Sequence, residues 1–119
     1  MHEIRIDSRV TQALDLMAST TDTRLTVGDL ARRTGTSARQ LLRLFRRHVG
    51  KTPHQAHREI RLRTAETLLT ETELSVKEIA AETGFSHTSH LVRHFRSAHG
   101  MPPAAYRRVQ LLQGDRNGQ

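Results

Sequence analysis

Apolar side chains fall at three- and four-residue intervals along this chain. The runs are Val10, Ala13, Leu14 and Met17; Val27, Leu30 and Ala31; Leu41, Leu44 and Phe45; Ile60, Leu62, Ala65, Leu68 and Leu69; Val76, Ile79 and Ala80; and Leu91 and Phe95. Such spacing marks one face of an α-helix. The boundaries carry matching punctuation. Thr26 and Ser75 each stand three residues before an acid, Asp29 or Glu78, the signature of a capping box. The helices they open are expected to run about nine residues and to stop at Gly35 and Gly84, which suit a left-handed C′ position. Ser37 and Ser86 then cap a second helix, which ends at Gly50 or Gly100 with proline just beyond. Asp7 or Ser8 opens an earlier helix. Pro53 suits the first position of a long one, about 18 residues and about 27 Å. "MPPAAYRRVQLL" reads as a short final helix and "QGDRNGQ" as a frayed tail. The expected fold is all-α, with about seven helices.

The pattern occurs twice. "TVGDLARRTGTS" (Thr26 to Ser37) lies on "SVKEIAAETGFS" (Ser75 to Ser86) at an offset of 49. After one extra residue, "LLRLFRRHVGKTP" (Leu41 to Pro53) lies on "LVRHFRSAHGMPP" (Leu91 to Pro103) at an offset of 50. Each copy is a short helix, a glycine-containing turn and a second helix with a basic outer face, which describes a helix-turn-helix. The expected organisation is an N-terminal segment packing on the first unit (1–25), a first helix-turn-helix (26–52), a linker helix (53–74), a second helix-turn-helix with a final short helix (75–108) and a tail (109–119). The linker would set the distance between two recognition helices, which must stand about 34 Å apart to read one face of B-DNA.

Charge sharpens the picture. The 119 residues carry 19 Lys+Arg against 12 Asp+Glu, a formal +7, and their placement is uneven. No acid lies between Asp29 and Glu59, where Arg32, Arg33, Arg39, Arg43, Arg46, Arg47, Lys51 and Arg58 fall. Acids are absent again between Glu82 and Asp115, around Arg93, Arg96, Arg107 and Arg108. Two one-signed stretches favour a polyanionic partner, with nucleic acid first. The absence of cysteine removes disulfides, thiolate zinc sites and cysteine nucleophiles and fits a reducing compartment. No apolar run reaches the length of a membrane span and no leader pattern opens the chain, so a cytoplasmic location is expected.

"LARRTGTSARQLLRLFRRHVGKTP", "REIRLRTAETLL" and above all "SVKEIAAETGFSHTSHLVRHFRSAHGMPPAAYRR" resemble the DNA-binding domain of AraC/XylS-type bacterial transcription regulators, from about Thr26 to Arg108. The resemblance implies two helix-turn-helix subdomains joined by a linker helix, contacting adjacent major grooves of double-stranded DNA and regulating transcription. Carried over by position, Arg39, Leu42 and Arg43 of the first recognition helix and His87, Thr88, Ser89, Val92 and Arg93 of the second would read bases. Ser37, Gln40, Arg46, Ser86 and Arg96 would meet phosphate. Gly35, Phe45, Ile79, Gly84, Phe85, Phe95 and Pro103 would hold the structure. Leu91 stands where the family usually has an aromatic residue. RNA polymerase is a further candidate partner, no cofactor is implied, and an effector would be bound by a domain absent from this chain. The opening helix at Asp7 resembles the start of the module in two-domain members, which favours a fragment of a longer regulator over a stand-alone one; either is expected in the cytoplasm, at the nucleoid.

Other chemistries find less support. His87, His90 and His94 share one side of a helix, and a zinc site there would need a supporting carboxylate. The nearest acids are Glu82 upstream and Asp115 downstream. Surface or groove-facing histidines, with His90 beside Phe95, are the simpler expectation. No GxSxG, HExxH, P-loop or paired-carboxylate arrangement points to an enzyme. A protein-interaction module would leave both acid-free recognition helices unexplained.

Overall fold

The structure is a computed structural model that describes residues 5–20 and 25–118, with backbone alone for 115–118. Residues 1–4 and 21–24 of the expected N-terminal segment and residue 119 of the expected tail lie outside the described residues. Seven helices and no strand occur among the described residues: α1 (Ser8–Ser19), α2 (Val27–Arg33), α3 (Ala38–His48), α4 (Pro53–Glu71), α5 (Val76–Glu82), α6 (Thr88–His99) and α7 (Pro103–Gly118). None is long and apolar enough to cross a membrane.

Local sequence places the starts. Asp7 caps α1, its carboxylate accepting from the Arg9 amide at 2.9 Å. Thr26 and Ser75 form the two expected capping boxes, each hydroxyl accepting from the amide three residues on and each N-cap amide donating to the acid there. These hydrogen bonds hold the carboxyls of Asp29 and Glu78 below their ordinary range, because they favour the ionised form. Thr52 and Gln55 make the same reciprocal pair at the start of α4. Gly35 and Gly84 follow α2 and α5 at φ of 72° and 81°, a left-handed backbone that any Cβ would strain. They end those helices at seven residues rather than the expected nine.

The chain divides into two compact units, Met1–Ile60 and Arg61–Gln119. The first core joins Val10, Ala13 and Met17 of α1, Leu30 and Ala31 of α2, Leu41, Leu44 and Phe45 of α3, and Ala56 of α4. The second joins Leu62, Ala65 and Leu69 of α4, Ile79 and Ala80 of α5, and Leu91 and Phe95 of α6, with Tyr106 of α7 against it. Leu91 is fully buried, so an aliphatic side chain fills this core position.

These cores correct the expected organisation. α4 is more than a connector, because it contributes side chains to both cores. Val10, Ala13 and Met17 recur as Leu62, Ala65 and Leu69 at an offset of 52, and the Thr20 hydroxyl bond to the Leu16 carbonyl (2.6 Å) recurs as Thr72 to Leu68 (2.6 Å). The second half of α4 therefore plays in the second unit the part that α1 plays in the first. Its first half, opening at buried Pro53, matches α7, which opens at buried Pro103. Each unit is one helix, a helix-turn-helix and a closing helix, and α4 fuses one unit's last helix to the next unit's first. This is why the apolar phase of α4 shifts between Ile60 and Leu62.

The C-terminus also differs from expectation. α7 runs 16 residues, to Gly118, rather than giving way to a frayed tail at Gln113. Tyr106 and Arg107 anchor its first turns, and Val109, Gln110, Leu111 and Leu112 continue with few residues that disfavour a helix. Leu111 and Leu112 are themselves exposed.

Candidate DNA interface

Helix α3 is built as an amphipathic rod. Leu41, Leu44 and Phe45 face the first core, while Arg39, Leu42, Arg43, Arg46 and Arg47 are exposed on the other side. Arg39, Arg43 and Arg46 lie three and four residues apart and so share one stripe. No carboxylate sits on that helix, and none of the three makes an ion pair among the described residues. Leu42 is 41% exposed and, with Arg46, Gly50, Lys51, Thr52 and Gln55, lines a shallow hollow of about 210 Å³. Lys51 on its rim is tied to Glu59 at 2.6 Å. Ser37 caps α3, its hydroxyl oxygen accepting from the Gln40 amide at 3.1 Å. That oxygen is engaged, and the hydroxyl proton is left to donate. Gln40 is half-buried.

Helix α6 follows the same plan with different side chains. Leu91 and Phe95 point inward, and Ser89, Arg93 and Arg96 are exposed. Thr88 and Val92, expected among the exposed positions, are half-buried. The start of the helix is a correction: His87, not Ser86, is the N-cap, and it makes no side-chain cap bond. The extra residue in the second turn shifts the register, so His87 takes the position that Ser37 holds in the first copy. An imidazole has no short oxygen arm to reach the N3 amide.

The histidines of this region separate into different environments. His87 and His90 meet edge to face, with ring centroids 5.1 Å apart. His94 lies 6.3 Å from Phe85, and His99 stacks on Phe95 at 4.2 Å. The histidine beside Phe95 is thus His99 and not His90. Two of these positions reflect exchanges between the copies. Thr36 and Leu44 of the first correspond to Phe85 and His94 of the second, so the apolar partner has moved from helix to turn. Leu14, Val49 and Ala56 correspond to Glu66, His99 and Tyr106. In the second unit the Tyr106 hydroxyl donates to Glu66 at 2.9 Å, and His99 Nε2 lies 3.7 Å from the same carboxylate. Burial and the Glu66 carboxylate push the Tyr106 hydroxyl above its ordinary pKa. Arg107 donates to the carbonyls of Leu69 (3.0 Å) and Thr72 (3.3 Å), satisfying the end of α4. Sequence reasoning missed this cluster because Glu66 and Tyr106 are 40 residues apart and their counterparts are apolar. No group of three or more His, Cys, Asp or Glu placed to hold a metal ion occurs among the described residues.

A family profile described as a helix-turn-helix domain matches residues 30–109, from the core leucine of α2 into α7. The chain belongs to the AraC-type helix-turn-helix family. It is 44% identical over 79 residues to the HTH-type transcriptional regulator GlxA of Rhizobium meliloti, covering 66% of this chain and 24% of that one. It is 35% identical over 104 residues to the HTH-type transcriptional regulator CdhR of Pseudomonas aeruginosa, covering 87% and 31%. Among solved structures, a transcriptional regulator of Chromobacterium violaceum with an AraC-type DNA-binding domain aligns with a TM-score of 0.83 at 32% identity, covering 87% of this chain and 92% of that one. The DNA-binding domain of AdpA, solved in complex with a target DNA, aligns at 0.82 and 31%, covering 93% and 97%. The chain spans about a quarter to a third of the length of the curated relatives it matches. These relatives are transcriptional regulators, not enzymes.

Proposed function

We propose that this chain binds double-stranded DNA sequence-specifically, inserting α3 and α6 into adjacent major grooves, and so regulates transcription. The observation that carries the reading is the repeated helix pair whose second member presents an exposed, carboxylate-free face: Arg39, Arg43 and Arg46 on α3, Arg93 and Arg96 on α6. A helix of this diameter fits the major groove, and arginine can grip guanine O6 and N7 with two donors. Arg39 and Arg43 are assigned to bases, with Leu42 against a thymine methyl. On α6, Arg93, Ser89, Thr88, His87 and Val92 read, by hydroxyl and imidazole as much as by guanidinium. Arg46, Arg96, Gln40, Ser37 and Ser86 are assigned to phosphate. The DNA-bound AdpA domain supports DNA as the partner. In a protein of the relatives' length, an effector would bind a domain outside this chain, RNA polymerase would be a further partner, and the site of action would be the nucleoid.

Binding to promoter fragments at two salt concentrations tests this. Affinity should fall steeply with salt as phosphate-bound cations are released. Arg43→Ala and Arg93→Ala should each lose about 1 to 3 kcal/mol of discrimination between cognate and altered sites, whereas Arg46→Ala should weaken all sequences alike. Failure of every form of the protein to bind DNA at low salt overturns the reading.

A further inference from the structure

The second recognition helix has lost two cations of the first and gained two titratable rings at neighbouring positions. At the repeat's offset of 50, Ser37, Arg39 and Gln40 of the first copy become His87, Ser89 and His90, and Arg47 becomes Ser97. α3 carries four arginines and α6 two, Arg93 and Arg96. His87, His90 and Arg93 step by three residues along α6 and so form one stripe. His87 is exposed and His90 half-buried, and their rings touch edge to face at 5.1 Å.

Among the described residues no charged group competes for these two rings. Their ring contact is their only interaction among the described residues, with no hydrogen bond or ion pair from either side chain. α5, packed on α6, brings Lys77, Glu78 and Glu82, and Glu78 is occupied by its bond to the Ser75 amide. α7 brings Tyr106, Arg107 and Arg108, of which the first two are bonded to Glu66 and to α4 carbonyls. The second half of α4 brings Arg61, Arg63, Glu66 and Glu71, and Glu66 faces Tyr106 and His99. On α6 itself the charged neighbours are Arg93 and Arg96, with His94 directed to Phe85 and His99 to Phe95. No carboxylate among these stands within 4.0 Å of His87 or His90.

We propose that His87 and His90 form a proton-gated contact with the DNA backbone in the second half-site. It rests on the DNA-binding reading above, moves His87 from base reading to the backbone, and adds a regulation of the same surface. As neutral rings they leave α6 with two cations; as imidazolium ions they complete a stripe with Arg93 whose charge approaches that of α3. Only the charged ring attracts a phosphate, so the contact strengthens as pH falls. Each ring that meets a phosphate as a cation releases a counterion, so the proton and the salt dependence of binding are coupled.

Fluorescence anisotropy on one cognate duplex at pH 6.0, 7.0 and 8.0, each over a salt series, tests the proposal in the wild type, His87→Gln, His90→Gln and the double variant. Circular dichroism at each pH checks that the fold is retained. Wild-type affinity should rise on the order of ten-fold from pH 8.0 to 6.0, with a salt slope steeper by about 0.9 per protonated contact. Each single variant should lose part of that rise, and the double variant should be flat in pH, whatever its affinity at pH 8.0. A double variant that keeps the wild-type pH dependence overturns the proposal, as does a pH-independent wild type. A rise without a change in salt slope overturns the phosphate contact. Absence of binding at every pH removes the DNA reading and this proposal together, an outcome distinct from binding that is merely flat in pH.

Discussion

Phe45 and Phe95 are the same position in two copies of one unit, both fully buried, and their neighbourhoods differ in one respect. Phe45 sits among aliphatic side chains, with Leu14 and Val49 packed against its cluster. Phe95 stacks on His99 at 4.2 Å and meets Tyr106 edge to face at 5.2 Å. Truncating either to alanine should cost about 3 to 5 kcal/mol for transfer and cavity. Ring pairs contribute about 0.5 to 1.5 kcal/mol each beyond burial. Phe95→Ala should therefore exceed Phe45→Ala by about 1 to 3 kcal/mol. The leucine substitutions retain most of the volume and should preserve the ordering with less risk of unfolding. Urea titrations provide the assay, with circular dichroism following the whole chain. Emission of Tyr106, the only tyrosine in a chain without tryptophan, follows the second unit. Equal penalties for the two leucine variants, or a larger one for Phe45→Leu, would refute the claim that ring contacts distinguish the cores.

Three further outcomes follow from the local geometry. Thr26→Ala and Ser75→Ala should each cost about 1 kcal/mol in urea titrations, since each removes one half of a reciprocal cap. The Asp29 and Glu78 carboxyls are held low in the folded protein. Their stabilisation is thus complete above the ordinary carboxylate range and lost as pH falls through the depressed values; the Asp29→Asn, Glu78→Gln double variant should flatten the acid side of a stability profile. Gly35→Ala should destabilise the first unit by about 1 to 2 kcal/mol from backbone strain, because no atom lies within 4 Å of the added Cβ; no change in the melting temperature would sink the left-handed assignment.

The second helix-turn-helix shows where sequence reasoning stops. Its first helix and its inward residues Ile79, Leu91 and Phe95 were legible because spacing and caps act over three or four residues. The expectation that Ser86 caps α6 failed because one inserted residue changes register, and a serine in the right neighbourhood is not a serine at the right dihedral. His99 was legible only as one histidine among several. Its place between Phe95, Tyr106 and Glu66 depends on side chains from three helices.

By itself the sequence determined the all-helical pattern, the internal repeat, the two capping boxes and the carboxylate-free faces of α3 and α6. All of these are written in residues close enough along the chain for local hydrogen bonds and helical periodicity to fix them. Only the tertiary structure decided that the long helix α4 belongs half to each core, since its burial depends on which helices pack beside it. The same holds for the cluster of Glu66, Phe95, His99 and Tyr106. It decided, too, how differently the histidines near Gly84 are occupied. His94 and His99 pack against aromatic rings, while among the described residues the rings of His87 and His90 meet each other, because the orientation of each ring, and not its spacing alone, sets its neighbour.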